Sequence, residues 1–123
     1  MKIRIKGNSL RFRITRSELI DFRTTGYLEE KTEFGINSLA YALTRIRTGA
    51  NLSAEFSENK ITMNIPEQLS TEWTETERVG FKFEMEIGNG RKLFLLLEKD
   101  FTCLDQVAED QSDHFENPLS LKP

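Results

Sequence analysis

Residues 81–97 read FKFEMEIGNGRKLFLLL, and this stretch decides the fold class. Phe81, Phe83, Met85 and Ile87 alternate with Lys82, Glu84 and Glu86. That period of two is a strand with one face toward a core and one toward water. Gly88-Asn89-Gly90 supplies residues that tolerate positive φ, as a tight hairpin turn requires. The chain then returns through Leu93–Leu97, its longest apolar run. Phe94 and Leu96 point away from Leu93, Leu95 and Leu97, so this returning strand is predicted to be central and covered on both faces.

The same grammar recurs upstream. Residues 2–6 (KIRIK) and 10–14 (LRFRI) alternate apolar and cationic side chains around Gly7-Asn8, a second hairpin. Residues 27–34 and 38–46 give two further strands, although Ala and Leu in the latter also favour a helix. After the turn at 48–51, Leu52-Ala54-Phe56 and Ile61-Met63-Ile65 alternate around Glu58-Asn59. Two helices interrupt this pattern. Thr15-Arg16-Ser17-Glu18 fits a capping box, with Ile14 and Leu19 as its hydrophobic staple and Gly26 as its stop. Pro66 opens the second, with Leu69 and Trp73 on one face, and residues 74–79 form a charged loop.

The predicted fold is therefore mainly β (α+β): an antiparallel sheet of about eight strands, strongly curved or closed into a barrel, with two short helices at an open end. No internal repeat stands out. Residues 1–104 form one β-rich domain, and residues 105–123 an acidic tail, either packed on that domain or flexible. A chain of 123 residues is ordinary single-domain size. No apolar run nears the roughly 18–20 residues of a membrane span, and the N-terminus lacks the apolar block of a secretory signal. The single cysteine, Cys103, excludes an internal disulfide and points to a reducing cytoplasm.

Net charge is only −3, but it is unevenly placed. Residues 1–16 hold Lys2, Arg4, Lys6, Arg11, Arg13 and Arg16 with no acid. Residues 100–116 hold Asp100, Asp105, Glu109, Asp110, Asp113 and Glu116 with no Lys or Arg. The acidic stretch also carries His114, the only histidine. It lacks the glycine-containing calcium loop and the several Cys or His ligands of a zinc site, so no metal or other cofactor is expected there. No nucleophile elbow, phosphate-cradling glycine loop or activated cysteine is present. The tail is read instead as tied down by Phe115 and Pro118, with its carboxylates near the basic hairpin.

The candidate anion-binding residues are Lys2, Arg4, Lys6, Arg11 and Arg13 on one face of the first hairpin, together with Lys31 of the charged strand 29–33. Nucleic acid is disfavoured because no aromatic side chain accompanies those cations: Phe12 alternates to the buried face. An anionic small molecule or polyphosphate fits better, on a non-enzymatic binding or interaction module. Exposed edge strands offer a homo-oligomer contact.

An alternative places the charged faces inside a closed barrel. Lys2, Arg4, Arg11, Arg13, Glu29, Lys31, Glu33, Lys82, Glu84 and Glu86 would then line a tunnel. This resembles the triphosphate tunnel enzymes, which implies a phosphate-handling activity with Glu84 and Glu86 holding a divalent metal. The hallmark of that family is E-x-E-x-K, whereas Glu84-Met85-Glu86-Ile87 runs into Gly88. A broader resemblance rests on MKIRIKGNSLRFRITRSE, YLEEKTEFG and LEKDFTCLDQVAEDQSDHFENP. Together these blocks resemble a family of small uncharacterised bacterial proteins, which implies a complete single-domain chain and brings no activity with it.

Overall fold

A computed structural model describes residues 1–101. The strands are β1 (Lys2–Lys6), β2 (Ser9–Ile14), β3 (Tyr27–Glu33), β4 (Ser38–Ile46), β5 (Ser53–Ser57), β6 (Lys60–Pro66), β7 (Gly80–Gly88) and β8 (Arg91–Lys99). Helix α1 (Arg16–Thr25) follows β2, and α2 (Glu67–Glu75) follows β6. The predicted elements are all present, and the 38–46 stretch is a strand. The proposed tail, with Cys103, His114, Phe115 and Pro118, lies outside the described residues.

The arrangement of the strands corrects the predicted single sheet. Two four-stranded sheets form, in the orders β1-β2-β8-β7 and β3-β4-β6-β5. Each is mixed: its two hairpins are antiparallel, but they meet through a parallel central pair, β2 with β8 and β4 with β6. The physical reason lies in the helices. Each one follows the inner strand of a hairpin and delivers the chain to the other sheet, so the hairpins on either side of a helix fall in different sheets. The barrel does not close. At one seam the Met1 ammonium lies 3.4 Å from the Glu30 carboxylate of β3. At the other, the Ala54 N–H of β5 donates to Met85 Sδ of β7 at 3.4 Å. No strand ladder crosses either seam among the described residues.

The chain is also a topological repeat that the residues did not reveal. Hairpin–helix–hairpin occurs twice, and replacing β1–β4 by β5–β8 turns the strand order of one sheet into that of the other. Corresponding core positions keep their burial, in most cases with a different residue. Phe12 and Ile14 of β2 match Met63 and Ile65 of β6, all four fully buried. Phe22 of α1 matches Trp73 of α2, and these two rings meet edge-on at 6.2 Å.

The core lies between the sheets, built from Leu10, Phe12, Ile14, Phe81, Leu95 and Leu97 on one side and Leu43, Met63 and Ile65 on the other. Phe12 meets Tyr41 edge-on at 6.0 Å across the gap. The helices pack on each other and against β3, β4 and β6, closing one end. Because β2 runs parallel to β8, and β4 to β6, all four hairpin turns gather at the opposite end. No helix among the described residues is long and apolar enough to cross a membrane.

Local signals explain the helix ends. The capping box forms as predicted: Glu18 N–H donates to Thr15 Oγ1 at 3.4 Å, and Thr15 N–H donates to Glu18 Oε1 at 2.9 Å. Gly26 closes α1 in the left-handed conformation, φ 69°, where a side chain would be strained. Helix α2 begins after Pro66 with no side-chain cap.

Candidate functional site

The outward residues of the first sheet fall into cross-strand rows fixed by register. Lys2, Arg13, Glu98 and Gly80 form the row nearest the helices. Arg4, Arg11, Leu96 and Lys82 form the next, and Lys6, Ser9, Phe94 and Glu84 the one after. Each row has a different electrostatic outcome.

In the first row, cations stand opposite cations, since Lys2 pairs with Arg13 in register. Like charges directly across a ladder repel. Glu98 of β8 offsets this: its Oε1 lies 2.8 Å from Arg13 Nε and 2.8 Å from Arg11 Nη2. Lys2 Nζ lies 3.2 Å from Asp100 Oδ2. Three of the sequence-predicted cations are therefore paired, Arg11 and Arg13 sharing Glu98 and Lys2 taking the first residue of the acidic stretch. Neither Glu29, Glu33, Glu84 nor Glu86 takes that role among the described residues.

The middle rows are left positive. Among the described residues, no carboxylate lies within 4.0 Å of the charged nitrogens of Arg4, Lys6 or Lys82. Arg11 keeps its Nε buried without an acceptor there. These rows line a groove of about 1010 Å³ with Arg4, Lys6, Arg11, Lys82 and Lys92 around Phe94 and Leu96. Its one acid among the described residues, Glu84, stands 3.9 Å from Lys92 Nζ. A smaller cleft of about 290 Å³ continues it between Lys2, Arg4, Arg11 and Arg13.

Phe94 corrects the reading of β8. The strand is central, between β2 and β7, but its outer face is not covered: Phe94 is 49% exposed. An aromatic ring therefore does stand among the cations. It went unnoticed because it arrives from β8, which pairs with β2 only through the parallel register Ser9↔Phe94. Leu96, Glu98 and Lys92 were missed in the same way. Their shared parity with Phe94 was visible in the sequence, but the neighbouring strand was not.

Lys31 does not join the group. It sits on β3 in the other sheet, in register with Ala40. On the outer face there, three side chains pair with one another. Lys60 Nζ lies 2.8 Å from Glu29 Oε1 and donates to the Tyr27 hydroxyl at 2.8 Å, while that hydroxyl donates to Glu29. The Lys60 bond, then the Tyr27 bond, holds the Glu29 carboxyl below its usual range, and Lys60 is raised in turn by Glu29 and then Tyr27. In register beside them lie the small, buried Ala40 and Ala42.

The tunnel alternative loses its geometric basis. The space between the sheets is filled by apolar side chains, while Arg4, Lys82, Glu84 and Glu86 are exposed on the outside. Glu84 and Glu86 share the outer face of β7 but gather no third ligand, and no group of three metal-ligating side chains occurs among the described residues.

No curated protein and no solved structure matches the chain. Residues 1–119 match DUF7009, a family of unknown function, and the chain belongs to that family.

Proposed function

We propose that this chain is a binding module that takes an anionic ligand on the outer face of its first sheet. The groove with Arg4, Lys6, Arg11, Lys82 and Lys92 around Phe94 and Leu96 carries this reading. Charge and apolar surface occur together there, so an amphipathic anion fits better than a bare ion. A phosphate or carboxylate would meet Arg4 and Arg11, where a guanidinium offers paired donors. A planar or aliphatic portion would lie against Phe94 and Leu96. A cytoplasmic location suits a chain with one cysteine.

The carboxylates of the chain itself already occupy the row nearest the helices, which divides the cations into a structural set and a binding set. Arg13 and Lys2 belong to the first, Arg4, Lys6 and Lys82 to the second, and Arg11 bridges both.

A thermal-shift titration with inorganic triphosphate and with ATP tests the reading. Ligand that binds only the folded chain raises Tm with concentration. Stabilisation by both, stronger for ATP, is expected, since only ATP offers a ring to Phe94. No shift with either overturns the proposal, and equal shifts remove the role of Phe94. Raising salt should weaken the effect, because the rim cations are exposed.

A further inference from the structure

Among the described residues, no helix covers the end of the sandwich that carries the hairpin turns. Between the sheets at that end lies a second pocket, about 510 Å³, lined from both sheets by Ile5, Leu10, Leu39, Ile61, Met85 and Leu93. Its volume falls within the range of small-molecule sites, roughly 300–1,000 Å³. The two halves contribute corresponding residues. Ile5 and Phe56 stand at matching places on β1 and β5, and both remain largely exposed at the rim, 59% and 67%.

The chemistry of the lining is opposite to that of the groove. Among the described residues, no lysine or arginine contributes to it, and its one acid, Glu55, is exposed. The wall nevertheless contains a polar donor with a poor partner. Ala54 and Met85 both line the pocket, and the Ala54 N–H is bonded to the Met85 thioether at 3.4 Å. A thioether sulfur is a weak acceptor compared with a carbonyl or hydroxyl oxygen. A backbone N–H at an open strand edge is a strong donor that favours a better one.

We infer that this pocket is a second binding site, for an uncharged apolar molecule bearing one oxygen acceptor, whose oxygen takes the Ala54 N–H from Met85. Such a ligand inserts its apolar body between Leu39, Ile61 and Leu93 and covers Ile5 and Phe56. Burial of that apolar surface supplies the affinity, and the single donor fixes orientation. The described lining holds no cation, which discriminates against the anions that the groove prefers.

Nile red, a neutral dye with a carbonyl oxygen, is a suitable probe. With the full chain it should give saturable, blue-shifted fluorescence at one dye per molecule, displaced by 1-decanol. Leu39→Trp and Ile61→Trp each fill the pocket and should weaken the dye about tenfold. Arg4→Glu with Lys82→Glu should leave it unchanged, which separates this site from the groove. Failure of the dye to saturate overturns the inference, as does wild-type affinity in both filled variants. Should those variants misfold by circular dichroism, displacement by 1-decanol on the wild-type chain decides the matter alone. Loss of dye binding as the chain self-associates in light scattering would assign the mouth to a second copy and also overturn it.

Discussion

The two sheets share one topology and carry different outer faces. On the second, Glu29, Lys60 and Tyr27 satisfy one another beside buried alanines. On the first, among the described residues, five cations surround Phe94 and Leu96, with a single acid in the groove. A strand face rich in charge is thus not one kind of surface. What matters is whether the register brings opposite charges into reach, and the repeat provides this contrast within one molecule. The inner faces, by contrast, do the same work in both halves, because Phe12 and Met63, or Phe22 and Trp73, need only be apolar and large enough to fill the gap.

The sharpest way to break the correspondence of the halves is at the first residue of β7. A Cβ on Gly80 would lie 2.0 Å from the Leu97 carbonyl oxygen. Gly80→Ala should therefore cost about 3 kcal/mol in urea denaturation, since backbone cannot give way cheaply. Tyr27 opens β3, the corresponding strand, and Tyr27→Ala should cost less than about 1 kcal/mol. Equal losses would mean that the two sheets are strained alike.

Glu98 and Glu29 provide the next comparison. Glu98→Gln leaves Arg11 and Arg13 without their shared partner in a partly buried row and should destabilise by about 1–2 kcal/mol. The same change should strengthen anion binding, because Arg11 is released toward the groove. Glu29→Gln, on a more exposed pair, should have a smaller effect on stability and none on anions. Denaturation and triphosphate titration of both variants check this.

The helix starts differ in their response to pH. Burial alone would raise Glu18, but hydrogen bonds from the Met1 ammonium, the Thr15 N–H and the Thr15 hydroxyl together bring it below its ordinary value. A carboxyl depressed by folding stabilises above its unfolded pKa, and that contribution fades as pH falls through the folded value. Glu18→Gln should therefore lower Tm at neutral pH, by a margin that shrinks in acid below about pH 4. Helix α2 begins after Pro66 with no side-chain cap, and Glu67 in its first turn takes no part in a capping box. A margin independent of pH would exclude Glu18 as the titrating group.

The sequence made local structure legible and long-range pairing illegible. Period-two alternation marked β1, β2, β5, β6 and β7, an apolar run marked β8, and Thr15 with Glu18 marked α1, because these signals act between near neighbours. Residues 38–46, by contrast, also fitted a helix. The parallel pair β2–β8 joins residues such as Arg13 and Glu98, 85 positions apart. Nothing in either strand names the other. The same gap hid half of the groove: Arg4, Lys6 and Arg11 were readable in residues 2–13, whereas Lys92, Phe94 and Leu96 joined them only through that pairing. The repeat was hidden for a different reason. Burial constrains size and polarity rather than identity, so Ile3-Arg4-Ile5 and Ala54-Glu55-Phe56 occupy matching strands with no residue in common.

The asymmetry of the outer faces is tested most directly by charge-matched reversals. Arg4→Glu with Lys82→Glu alters the first sheet, and Lys31→Glu with Lys60→Glu alters the second by the same net charge. Calorimetric titration with ATP should lose its heat of binding in the first variant and retain it in the second. Equal loss in both would reduce the effect to overall charge and contradict a site on the first sheet.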